Sequence, residues 1–153
     1  MRKAQREITG QKDLLDVLER CQTIRLGLSG TEYPYVVPLS FGWHLQNGQI
    51  VLYFHCAQEG LKCQLLAQNS KVRVEADIFH GYHGTTTKYE SVIGFGTVVL
   101  VREEQERIHG LQRLLQHCDM VDYPLQRCSA LAHTAVYKIN LHSITGKRNL
   151  LQQ

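Results

Sequence analysis

The sequence predicts a mainly β fold, an antiparallel sheet or barrel with flanking helices, rather than a doubly wound parallel sheet. Three observations lead there. Six strand-like runs outnumber three helical ones, in the order helix, three strands, helix, two strands, helix, strand. A hairpin is explicit at Gln46-Asn47-Gly48-Gln49, because Asn-Gly supplies the left-handed pair of a tight turn. At 153 residues the chain can bury one core, and no linker, repeat or low-complexity tract divides it, so 1–153 reads as a single domain.

The first helix is expected over Lys12 to Cys21, where Leu14, Leu15, Val17, Leu18 and Cys21 fall near helical spacing. Ile24 to Leu28 is a short strand closed by a Ser29-Gly30-Thr31 turn. Tyr35 to Trp43 reads as one strand, and Pro38 within it cannot donate to a ladder, which places it at an edge, a bulge or the rim of a site. Ile50 to His55 is the return strand of the hairpin. Gln58 to Gln68 is a helix with Leu61, Leu65 and Leu66 inward, and Val72 to Asp77 alternates as a half-buried strand. Phe79 to Lys88 is polar and reads as a loop. Tyr89 to Val101 is a long strand, bent or bulged at Gly94 and Gly96. Glu103 to Cys118 is a helix with acids in its first turn, His133 to Leu141 a last strand, and His142 to Gln153 a tail.

Composition narrows the function classes. A 43% hydrophobic, 20% charged chain is globular. The net charge of +3 comes from interleaved bases and acids, which does not favour nucleic acid. No apolar run reaches the roughly 20 residues of a membrane span. Five cysteines, Cys21, Cys56, Cys63, Cys118 and Cys128, with no signal-like start, read as thiols of a reducing cytoplasm.

The segment Val51 to Lys62 carries most of the functional information. An apolar strand runs into His55-Cys56-Ala57-Gln58-Glu59-Gly60-Leu61-Lys62, where a helix begins. The first amides of a helix lack intrahelical partners and favour an anion, and a lysine adds a full charge. Lys62 is either a phosphate ligand or a solvent-facing lysine. The helix start is the unfavourable end for a cation, which favours the ligand reading. His55 is either a cofactor contact and proton donor or a strand-end histidine bonded to a carbonyl. Cys56 and Cys63 are spaced too widely for a paired zinc ligand set, so no metal site is expected. Trp43 and Phe41 share a strand face and line either an aromatic pocket or the core. Val92, Ile93 and Phe95 would be an apolar liability if exposed, which makes their strand a candidate dimer surface.

Five blocks occur in a familiar order: Arg6-Glu7-Ile8-Thr9, Tyr35 to Phe41, His55 to Lys62, Tyr89 to Gly96, and Ser143-Ile144-Thr145-Gly146-Lys147-Arg148. Together they resemble the 5-nitroimidazole-resistance (Nim) family of flavoproteins, within the pyridoxamine 5′-phosphate oxidase-like FMN-binding split barrels. The resemblance implies a six-stranded antiparallel split β-barrel of Greek-key type. It also implies a homodimer, FMN at each subunit interface, NAD(P)H as electron donor and a small planar acceptor such as a nitroaromatic. The alternative on the same scaffold is a non-catalytic FMN- or haem-binding protein. By position, the resemblance puts Pro38, Leu39, Ser40 and Phe41 along the isoalloxazine edge. It puts His55, Cys56, Ala57, Gly60 and Lys62 around the ribityl chain and phosphate, with His55 as the candidate catalytic residue. Tyr89, Ser91 and Val92 would close the pocket from the partner subunit, and Gly146-Lys147-Arg148 would lie near its mouth. The 79–88 and 118–132 segments match no block of the family.

Overall fold

The computed structural model describes residues 4–125 and 129–150. A one-turn 3-10 helix, Ala4–Arg6, leads into β1 (Glu7–Ile8), α1 (Gln11–Arg20), β2 (Ile24–Leu28), β3 (Tyr35–Leu39), β4 (Gly42–Gln46) and β5 (Gln49–Ala57). Then follow α2 (Leu61–Gln68), β6 (Lys71–His83), β7 (Thr86–Leu100), α3 (Glu104–His117), a 3-10 turn, Ser129–His133, and β8 (Thr134–Asn149). The strands form one antiparallel sheet in the order β3-β2-β6-β7-β8-β5-β4, with β1 added on β8.

The fold class is the expected one, but the described residues form eight strands rather than six. One extra strand is the short β1. The other arises because the run Tyr35 to Trp43 is two strands, not one. Two residues, Ser40 and Phe41, separate β3 from β4, yet these strands sit at opposite ends of the sheet order. A two-residue link spans about 10 Å, so the sheet must roll up until its edges meet without pairing. The break has a local cause. A Cβ on Gly42 would lie 2.3 Å from the backbone carbon of Arg113, so α3 presses directly on the start of β4. The Arg113 guanidinium donates twice to the Trp43 carbonyl, at 2.9 and 2.8 Å, holding β4 against α3 and away from β3. Pro38 is exposed on β3, an edge strand whose outer side needs no donor.

Rolling creates two apolar compartments. The interior collects Ile24, Leu26, Leu52, Phe54, Val74 and Ile139, with α1 contributing Leu14, Val17 and Leu18. The second lies under α3, where Val51, Tyr53, Val136 and Leu111 meet. β5 is buried over five consecutive residues, Ile50 to Phe54, because its even positions face the interior and its odd positions face α3. Glu103 caps α3, its carboxylate accepting from the amides of Gln105 and Glu106.

Three other expectations change. The polar 79–88 stretch is not a loop but the end of a long β6–β7 hairpin, paired through His83 and Thr86. It bulges at His80-Gly81, where Gly81 has φ 92°, and turns at Gly84 with φ 55°. A ribbon projecting beyond the core needs backbone pairing but no apolar alternation. The 142–149 tail is likewise strand: β8 runs on to Asn149 and pairs with β7 from Tyr89 to Phe95. Helix α2 begins at Leu61, three residues later than expected, because Gly60 at φ 127° interrupts the helical path. The expected irregularity at Gly94 and Gly96 appears as a register shift between Phe95 and Gly96.

Candidate functional site

The junction of β5 with α2 is built by three constraints. β5 is held on β8 through His55↔Val136, Cys56↔Ala135 and Ala57↔Thr134. The chain then turns at Gly60, whose left-handed conformation a side chain would strain, and a Cβ there would meet nothing within 4 Å. The α2 start has no side-chain cap. The glycine therefore leaves open backbone beside helix amides that no side chain satisfies, a cradle of anion-binding type. Lys62, half-buried on the first turn, lies with its Nζ 6.0 Å from the Phe54 ring centroid. Phe54 in turn stacks on Tyr137 at 5.2 Å, giving the junction a rigid aromatic floor.

His55 and Cys56 diverge from this point as strand alternation requires. Cys56 turns to the barrel side, its Sγ 3.8 Å from that of Cys63, while the Cys63 thiol donates to the Ala57 carbonyl at 3.3 Å. His55 turns to the α3 side. Much of its surface is open, yet it lines a recess of about 330 Å³ with Ser40, Leu111, Leu114, Cys118 and Thr134. Partial burial, then the charge of Lys62, lowers its pKa below the ordinary histidine value, so the imidazole is neutral at pH 7 and can accept or donate.

The recess brings Ser40 and His55 onto one wall, although 15 residues separate them in the chain. Pro38 and Ser40 are exposed and Leu39 half-buried. Phe41 is fully buried with its ring 4.3 Å from His117, so only its backbone can face a ligand. Trp43 is half-buried and donates through Nε1 to Glu19 at 2.6 Å. The α3 leucines that wall the recess are legible in the sequence only as a helix's apolar face, and nothing there separates recess from core.

The other expected contributors lie elsewhere. Ser91 pairs with Lys147, whereas Cys56 pairs with Ala135, twelve residues earlier on the same strand. At strand rise that is up to about 40 Å. One chain thus holds the two halves of the expected pocket at opposite ends of β8. At the far end Tyr89 and Ser91 are half-buried, and the Ser91 hydroxyl reaches the Lys147 carbonyl at 3.5 Å. Val92 points into its own core at 3% exposure. Between them Glu90 is buried, accepting from Arg20 at 2.8 Å and paired with His80 at 2.9 Å. The Arg20 hydrogen bond, set against burial and helped by His80, holds this carboxyl below the usual range. Gly146 serves packing: a Cβ there would lie 2.5 Å from Leu14. Arg148 lies 3.7 Å from Asp13.

The outer face of β7 exposes Ile93, Phe95 and Val99 at 46, 44 and 41%. Phe95 borders a concavity of about 670 Å³ shared with Val36, Lys71, Arg73 and His142. This concavity is larger than the recess at His55 but holds none of the expected site residues. Among the described residues, no group of three or more metal-ligating side chains converges, and no helix is long and apolar enough to cross a membrane.

The family model for pyridoxamine 5′-phosphate oxidase matches residues 11–148. Solved structures share the fold. One is a protein from Bacteroides thetaiotaomicron provisionally assigned to 5-nitroimidazole antibiotic resistance. It is 24% identical, with 92% of this chain and 85% of that one covered and a TM-score of 0.75. An FAD-binding protein from Mesorhizobium loti is 21% identical over 93% of this chain and 96% of its own, with a TM-score of 0.68. An FAD- and haem-binding protein from Mycobacterium smegmatis is 19% identical over 94% and 73%, with a TM-score of 0.76. A comparison with curated protein sequences finds no significant match.

Proposed function

Because the chain belongs to the pyridoxamine 5′-phosphate oxidase family, we propose that it is an FMN-dependent oxidoreductase drawing electrons from NAD(P)H to reduce a small planar acceptor, a nitroaromatic among the candidates. The observation that carries this reading is the β5–α2 junction. Open backbone at Gly60, an uncapped helix start and Lys62 together fit a phosphomonoester. The bound flavin supplies the electron transfer; the protein supplies grip, orientation and shielding. Lys62 and the α2 amides hold the phosphate, and the Pro38–Phe41 backbone lies along the ring. His55, on the recess wall, is the candidate proton donor; its lowered pKa leaves it neutral at pH 7, so the imidazolium that gives the proton is populated as pH falls. A homodimer completes the pocket: the Tyr89–Val92 end of one protomer meets the β5–α2 junction of the other, which the separation along β8 requires if both ends touch one cofactor.

The test is an absorption spectrum of FMN-loaded protein, followed by anaerobic NADH or NADPH. Bound-flavin bands that bleach on reductant addition are expected. Colour that does not bleach refutes turnover with these donors. A second reading, haem or flavin held without turnover, draws on the apolar recess with an open imidazole on its wall. A Soret band on haem addition, lost in His55→Ala, would favour it.

A further inference from the structure

Two thiols face each other across the junction. Cys56 is the next-to-last residue of β5 and Cys63 sits on the first turn of α2, both half-buried and free, with sulfurs 3.8 Å apart. That is van der Waals contact, within about 2 Å of a bonded sulfur–sulfur length. No third ligand converges on them among the described residues, so a metal does not explain the pair. We propose that Cys56 and Cys63 form a reversible disulfide under hydroperoxide, a modification site that pins the first turn of α2 onto β5.

The two sulfurs differ in surroundings. Burial, then the neighbouring Cys63, pushes the Cys56 thiol up to about 11, so it stays protonated near neutrality. Cys63 stands beside Lys62 on the uncapped start of α2. Cys63 is therefore the attacking group and Cys56 the resolving one. The Cys63 thiolate attacks one peroxide oxygen, the O–O bond breaks, and the departing oxygen takes a proton and leaves as water or alcohol. Cys63 is then a sulfenic acid. The Cys56 sulfur attacks it, the S–S bond forms, the S–O bond breaks, and water leaves with the Cys56 proton. Two thiols lose two electrons in all, and the hydroperoxide takes them. The disulfide closes a short loop around Gln58-Glu59-Gly60, the turn that presents the open amides.

The pair needs no cofactor, so its test is independent of the flavin reading. Full-length reduced protein without added flavin is treated with stoichiometric hydrogen peroxide, its remaining thiols are alkylated, and it is digested with trypsin. Cleavage after Lys62 places the two cysteines on separate peptides. A Cys56–Cys63 cross-linked pair, released by dithiothreitol, is expected. In Cys56→Ser, dimedone should label Cys63. Amides 58–62 should exchange with deuterium more slowly in the oxidised protein than in the reduced one. Alkylation of both cysteines after peroxide overturns the site, as does linkage of Cys56 to another cysteine. Dimedone on Cys56 in Cys63→Ser, with none on Cys63 in Cys56→Ser, overturns the order of attack. Unchanged exchange overturns the pinning.

Discussion

Phe95→Ala tests whether the outer face of β7 is where two copies meet. Phe95 is 44% exposed and is neighboured by the Arg73 guanidinium, 5.2 Å from its ring centroid. An exposed phenylalanine presents about 200 Å², so about 90 Å² remains for a partner to cover. At about 25 cal/mol per Å² that is ~2 kcal/mol per copy. A two-fold interface uses the same residue twice, giving ~4 kcal/mol, or a dissociation constant raised about 1,000-fold. Sedimentation equilibrium over a dilution series reads this directly. Wild type should have the mass of a dimer at micromolar concentration, and Phe95→Ala should dissociate there. Leu45→Ala, at 45% exposure on the β4–β5 hairpin, serves as the surface control and should leave the mass unchanged. If wild type is monomeric with flavin bound, or if Phe95→Ala shifts dissociation less than threefold, the face is not the interface and the pocket is not completed in trans.

Lys62→Ala should weaken FMN binding by about 1.5–3 kcal/mol, the scale of one charge-assisted contact, read by fluorescence quenching on titration. The same variant removes a charge that lowers the His55 pKa, so the His55 imidazole signal should titrate at higher pH in Lys62→Ala than in wild type. Glu90→Gln should cost ~1–2 kcal/mol in urea unfolding at pH 7, a value kept low because Arg20 is 40% exposed. The sign of the pH effect is fixed by the depressed carboxyl. The contribution of Glu90 is present above its unfolded pKa of about 4.3 and is lost as pH falls through the lower folded value, so the difference between wild type and variant should shrink as pH falls below about 4.3 and vanish below the folded value. Gly42→Ala should cost about 3 kcal/mol, the upper end of overpacking, because its Cβ meets α3 backbone rather than a flexible side chain. An unchanged thermal midpoint would refute that.

Where one local rule governs a segment, the sequence was readable. The Asn47-Gly48 hairpin appears as written, with positive φ at both residues, and β2 spans the expected Ile24–Leu28. The missing donor of Pro38 allowed an edge, a bulge or the rim of a site, and the residue lies exposed on the edge strand β3. Segments whose state depends on distant partners were not readable. The 79–83 and 86–88 stretches are strands because they pair with each other beyond the core, and 142–149 because β7 and β1 lie beside it. The break at Ser40-Phe41 depends on α3, about 70 residues away, pressing on Gly42.

The candidate site divides along the same line. The junction is local, so Gly60 and Lys62 could be picked from a short run of sequence, and the structure adds that no side chain caps that helix. The recess is not local. It exists because the rolled sheet brings Ser40 beside His55 and lays α3 over both, while Phe41, the neighbour of Ser40, turns into the core. Adjacent residues on a strand face opposite ways, so a motif read as one contiguous block cannot offer all its side chains to one ligand. The same logic separates Val92, which is inward, from Ser91 and Ile93. At that end of β7, whatever a second copy meets is set by the odd-numbered residues and by backbone. An inward Val92 variant should therefore unfold the protein before it disturbs an interface, whereas an Ile93 variant should do the reverse.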